Sequence, residues 1–132
     1  FSFLEENSVT RKIKNAKNIK LLQLKPKNRD ISMLLVDKHN INLAESSSIS
    51  LTVQEKADVF ITDELDARTI AKNLNIEVHG TVGVIIRAFR EGIISRDIAI
   101  GKIRELYEKS SLFITKDLVD FAVKEIRDYR MG

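Results

Sequence analysis

The chain contains no cysteine. That excludes a disulfide framework and a thiolate metal site, and it fits a reducing cytoplasm. No apolar run approaches the roughly 20 residues of a membrane span, so no membrane partner is expected. The first residues do not read as a secretory leader, because Glu5, Glu6 and Asn7 interrupt them. One proline, Pro26, and five glycines leave no stretch with linker composition. Acids are missing from one long segment. Between Arg11 and Arg29 stand Arg11, Lys12, Lys14, Lys17, Lys20, Lys25, Lys27 and Arg29, with no Asp or Glu among them. Such a stretch suits tracking of a phosphate backbone, and it equally suits a solvated face. Few aromatics are interleaved there, so base stacking is not indicated in that stretch.

What is present is enough for one globular domain. The chain has 132 residues, 43% of them hydrophobic, and a formal net charge of +3. That supports a real core, and residues 1–132 are expected to form a single domain. The apolar spacing predicts a helix over 2–16, a short strand over Ile19–Leu24, and helices over 29–39 and 43–56. Ile31, Leu34 and Leu35 form the expected stripe of the third of these segments, and Ile49 with Val53 that of the fourth. Val59-Phe60-Ile61 reads as a strand buried on both faces, as inner parallel strands are. A helix over 64–74 and a strand over Ile76–Val78 follow. Three helices close the chain near 82–91, 96–109 and 116–129, with Thr81, Ser95 and Thr115 as expected N-caps. Strands alternating with helices imply an α/β fold, a parallel sheet covered by helices.

The chemistry-bearing residues sit around that inner strand. Its end carries Asp63 and Glu64, with Asp66 close behind. Hard oxygen donors gathered at a strand end suit Mg²⁺ or Mn²⁺, which polarise a phosphate and activate water. The same acids also fit helix capping, with Asp63 as N-cap and Asp66 at the third helical position. Glu45 closes a second capping pattern that opens at Asn42. In a βαβ crossover the N-terminus of its helix is expected near the carboxyl edge of the sheet, on the same edge as Asp63. Gly80-Thr81-Val82-Gly83 follows a strand and opens a helix. It lacks the full dinucleotide-binding glycine pattern and reads as a tight turn with close helix–strand packing. His79 reads as a partner-bonded structural residue, and His39 has no spaced companion for a metal pair. Ser46, Ser47, Ser48 and Ser50 have no nearby base and read as helix surface and small packing residues.

Taken together, these motifs resemble the PIN-domain nucleases, and most closely a compact prokaryotic branch related to toxins of toxin–antitoxin pairs. The resemblance rests on four segments: Ala44-Glu45-Ser46-Ser47-Ser48-Ile49, Ala57-Asp58-Val59-Phe60-Ile61-Thr62-Asp63-Glu64, Ala67-Arg68, and Gly80-Thr81-Val82-Gly83-Val84. It implies a three-layer α/β/α fold with a parallel sheet and C-terminal helices. It implies metal-dependent hydrolysis of single-stranded RNA, with Glu45, Asp63 and Glu64 as candidate catalytic acids for Mg²⁺ or Mn²⁺, either Asp63 or Glu64 of the strand-end pair facing the metal. Arg11, Lys12, Lys14 and Lys17 would then hold the RNA. An antitoxin protein and a homodimer are implied partners. A further family acid on an early helix would fall on Glu5 or Glu6. The chain departs from the pattern in three places. Ala44 stands for a glycine, Ser47 stands for a second glutamate, and the family's first strand with its Asp is not found in the sequence from Phe1 on, so that either upstream residues are absent from it or the site is incomplete. The alternative implied by these departures is a weak or inactive module that binds RNA or a protein.

Overall fold

The computed structural model describes residues 8–110, 112 and 114–130. Their elements are α1 (Ser8–Asn15), α2 (Pro26–Lys38), α3 (Leu43–Glu55), β1 (Phe60–Ile61), α4 (Leu65–Asn73), β2 (Val78–His79), α5 (Thr81–Arg90), α6 (Arg96–Lys109) and α7 (Lys116–Asp128). The chain divides into two compact units, the first ending at Glu55 and the second beginning at Lys56. Glu5 and Glu6 lie outside the described residues.

In the first unit α1 buries none of its residues. Pro26 occupies the start of α2, where its fixed φ and missing N–H cost nothing. The helix therefore begins three residues before the expected start at Arg29. Helices α2 and α3 pack along one another. Their buried positions are mostly small and polar: Asn28 and Ser32 on α2, and Ser46, Ile49 and Ser50 on α3. The expected stripe on α2 is displaced, since Leu34 is exposed. Small side chains allow the close helix approach that leucines would block. Two of the serine hydroxyls turn back onto their own helices. Ser32 Oγ donates to Arg29 O at 2.7 Å, and Ser46 Oγ donates to Leu43 O at 3.1 Å. Ser50 Oγ is fully buried and, among the described residues, has no partner. An orphan hydroxyl carries its desolvation cost uncompensated. Ser50→Ala is therefore expected to stabilise the protein by about 1 kcal/mol, read as a rise of a few degrees in the thermal midpoint.

The strand expected over Ile19–Leu24 does not form. A strand needs a neighbour, and among the described residues this segment has none. Its end is held instead by one side chain of α3. Gln54 Oε1 accepts from Lys25 N at 2.8 Å, and Gln54 Nε2 donates to Gln23 O at 3.1 Å. Ile19, Leu21 and Leu22 remain exposed. The crossover argument for the position of Glu45 thereby loses the strand it started from.

The second unit holds the sheet. β1 and β2 pair in parallel, Phe60 opposite Val78 and Ile61 opposite His79. Phe60 N donates to Glu77 O at 2.8 Å, and Thr62 N donates to His79 O at 2.9 Å. The α/β alternation and the parallel pairing agree with the sequence. Burial on both faces does not, for Phe60 is buried while Ile61 is 59% exposed. Among the described residues the sheet has these two strands, so neither is an inner strand of a three-layer sandwich there. The core of the unit is helical. Phe89 of α5, Ala99 and Ile103 of α6, and Val119, Ala122, Val123 and Ile126 of α7 form one buried cluster. Ser95 and Thr115 cap α6 and α7, accepting from Ile98 N and Leu118 N at 3.2 Å each.

Candidate active site

Because β1 and β2 are parallel and in register, their carboxyl ends lie side by side. Thr62-Asp63-Glu64 leaves one strand, and Gly80-Thr81 leaves the other. Asp63 bridges them. Its Oδ1 accepts from Thr81 N at 2.8 Å and its Oδ2 from Thr81 Oγ1 at 2.5 Å. An anion here faces the positive end of α5. Asp63 thus caps α5 and not α4, contrary to the capping pattern read from the sequence. Glu64 takes the N-cap position of α4, without a side-chain capping bond. Thr81 is not the N-cap of α5 either. Gly80 holds that position, and Thr81 is the first helical residue.

Gly80 makes the bridge sterically feasible. A Cβ there would stand 2.6 Å from Asp63 Oδ1 and 2.9 Å from Arg68 Nη1. Its φ of −99° is open to any residue, so the requirement is space and not conformation. Gly80→Ala is expected to drive the Asp63 carboxylate off Thr81 and to cost about 1–3 kcal/mol through the lost charge-assisted bonds. Denaturant titration against the parent chain measures this. Gly83 is a milder case, with a Cβ meeting the His79 ring at 3.4 Å. His79 Nε2 lies 3.0 Å from Glu77 Oε1, in keeping with a partner-bonded structural residue.

Beside Asp63 opens a cavity of about 270 Å³. Its lining combines the polar Asp63, Arg68 and His79 with apolar side chains that include Ile86, Leu118 and Phe121. The half-buried guanidinium of Arg68 faces the same side of Gly80 as the Asp63 carboxylate, without a direct hydrogen bond or ion pair to it among the described residues. Sequence reasoning used Arg68 only as part of a motif and passed over Leu118 and Phe121. The available signal was their spacing, an apolar pair three residues apart on α7, off the Val119-Ala122-Val123-Ile126 stripe.

Glu45 belongs to the first unit and forms the capping box expected from sequence. Glu45 N donates to Asn42 Oδ1 at 2.8 Å, and its carboxylate accepts from Asn42 N and Asn42 Nδ2 at 3.3 Å each. Among the described residues no three His, Asp or Glu side chains gather as a metal cluster. The donor chemistry of Asp63 and Glu64 nonetheless suits a hard cation. An ionised carboxylate offers about four lone-pair sites, so Asp63 can accept from Thr81 and still bind a metal. Arg11, Lys12 and Lys14 lie on α1, Lys17 follows it, and all four are exposed.

A family model described as a PIN domain matches residues 3–128. The chain belongs to the PIN-domain family. It therefore has a nuclease-type fold, of a family whose members are in general divalent-metal-dependent nucleases acting on RNA. No curated protein and no solved structure gives a significant match. Among the described residues no helix is long and apolar enough to cross a membrane.

Proposed function

We propose that this PIN domain is a metal-dependent endoribonuclease that hydrolyses phosphodiester bonds of single-stranded RNA. The observation that carries the reading is the placement of Asp63 at the joint carboxyl edge of two parallel strands, oriented by Thr81 and Gly80, with the Glu64 carboxylate, which makes no capping bond, next in sequence. Asp63, Glu64 and Glu45 are the proposed catalytic and metal-holding acids, Glu45 on the family resemblance. Mg²⁺ or Mn²⁺, when bound, would supply phosphate polarisation and an acidified water. Asp63 contributes a fixed oxygen donor, because two hydrogen bonds hold its carboxylate before any ligand arrives. Glu64 contributes a second donor, free to turn. Arg11, Lys12, Lys14 and Lys17 would track the RNA backbone electrostatically. The resemblance further supports a toxin-type enzyme of the cytoplasm, a homodimer restrained by an antitoxin protein, and one domain spanning residues 1–132.

A second reading is a catalytically weak or inactive module that binds RNA or a protein. The engagement of Glu45 with Asn42 in a capping box favours it. Mn²⁺ titration by calorimetry, paired with cleavage of a labelled single-stranded RNA, separates the two. The nuclease reading expects Mn²⁺ binding, cleavage stopped by EDTA, and Mn²⁺ affinity at least about tenfold weaker in Glu64→Gln and in Glu45→Gln. A parent chain that neither binds Mn²⁺ nor cleaves leaves the second reading.

A further inference from the structure

The cavity beside Asp63 is lined by side chains of two chemistries, and the fold uses neither fully. Arg68 lines it as a half-buried cation that forms no ion pair among the described residues, although its Nη1 and Asp63 Oδ1 crowd the same side of Gly80. A guanidinium has five donors, so one that is bonded to no carboxylate or carbonyl can hold a phosphate oxygen even with a carboxylate nearby. From α7 come Phe121 and Leu118, which the helical core does not use. Phe121 is 59% exposed, a large ring left in solvent at the rim of a cavity. At about 270 Å³ the space falls below the roughly 300–1,000 Å³ typical of sites for drug-sized ligands. It suits one planar ring with its attached phosphate.

We infer that this cavity is a nucleotide subsite for single-stranded RNA, with a base stacked on Phe121 and Leu118 and its phosphate held by Arg68. Single-stranded nucleic acid is recognised by this pairing of an aromatic face with a nearby cation, since every base has a stacking face and every nucleotide a phosphate. An apolar side chain of a protein partner would cover Phe121 but leave Arg68 unpaired. The subsite rests on the ribonuclease reading only for the identity of the polymer. Its own claim is binding, without any metal.

Fluorescence anisotropy tests it on the full chain, using a labelled single-stranded oligoribonucleotide in EDTA. Phe121→Ala is expected to weaken binding about 5- to 100-fold, and Phe121→Trp to restore it. Arg68→Gln is expected to weaken binding and to lower the salt slope by about one. Circular dichroism checks that each variant keeps the fold. Binding by Phe121→Ala and Arg68→Gln equal to that of the parent overturns the subsite, and so does a parent that binds no such oligonucleotide. Cleavage in Mn²⁺ with unchanged binding by both variants leaves the nuclease standing without this subsite. Weakened binding by both variants, with no cleavage by the parent, keeps the subsite and removes the nuclease.

Discussion

Asp63→Asn is expected to lower metal-dependent RNA cleavage by at least about 100-fold while moving the thermal midpoint by no more than a few degrees. The two effects separate because Asp63 has two jobs. As a cap, it accepts from Thr81 N at 2.8 Å and from Thr81 Oγ1 at 2.5 Å. Asparagine can keep both bonds. Its carbonyl oxygen accepts from the Thr81 N–H, and its amide donates to the Thr81 hydroxyl, which turns from donor to acceptor. What goes is the negative charge near the start of α5, worth about 0.3–1 kcal/mol. As a proposed metal ligand, by contrast, the side chain is defined by its charge, and a neutral amide is a poor substitute. Asp63→Ala separates the roles from the other side, since it removes the cap as well and should cost about 0.5–2 kcal/mol of stability. Cleavage of a labelled oligonucleotide in Mn²⁺, run beside thermal melts of all three proteins, measures both quantities. Parent-like cleavage by Asp63→Asn would reduce this residue to its structural job.

The parts of this architecture that were legible in sequence are the ones set by local chemistry. The extent of α6 follows from Ser95 before it and from its helical apolar spacing, and the structure gives Arg96–Lys109 as expected. The capping box of Asn42 and Glu45 is likewise a contact across three residues. The failures are non-local. Ile19–Leu24 has the composition of a strand, but a strand is defined by its neighbour, and sequence does not supply one. Helix capping by Asp63, as one of its two readings from sequence, pointed to its own helix. Asp63 caps instead a helix that starts 18 residues later, because strand pairing brings the two segments together. Ile61 was expected inside. Its exposure depends on what covers its face of the sheet, which the residue itself cannot reveal. The Gly80 turn was legible as close packing, yet the groups that approach it, Asp63 and Arg68, emerge only from the fold.

Ile103→Ala carries the largest expected loss of stability. Ile103 of α6 is fully buried in the cluster that joins α5, α6 and α7. Removing three carbons there forfeits their transfer energy and leaves a cavity that Ala99 and Ala122, both already small and fully buried, cannot fill. The expected cost is about 2–5 kcal/mol, a large part of the roughly 5–15 kcal/mol that keeps a domain folded. Ile103→Val, which removes one carbon, should cost about 0.5–1.5 kcal/mol. Ile98 on the same helix is 50% exposed and serves as a control. Ile98→Ala should stay within about 0.5 kcal/mol of the parent, since it takes little from the core and alanine favours the helix. Urea unfolding of the three variants gives the ordering. Hydrogen exchange gives the location, with protection expected to fall for the core amides of α5, α6 and α7 in Ile103→Ala. If Ile103→Ala and Ile98→Ala unfold at the same urea concentration, the cluster around Ile103 is not the core of the second unit.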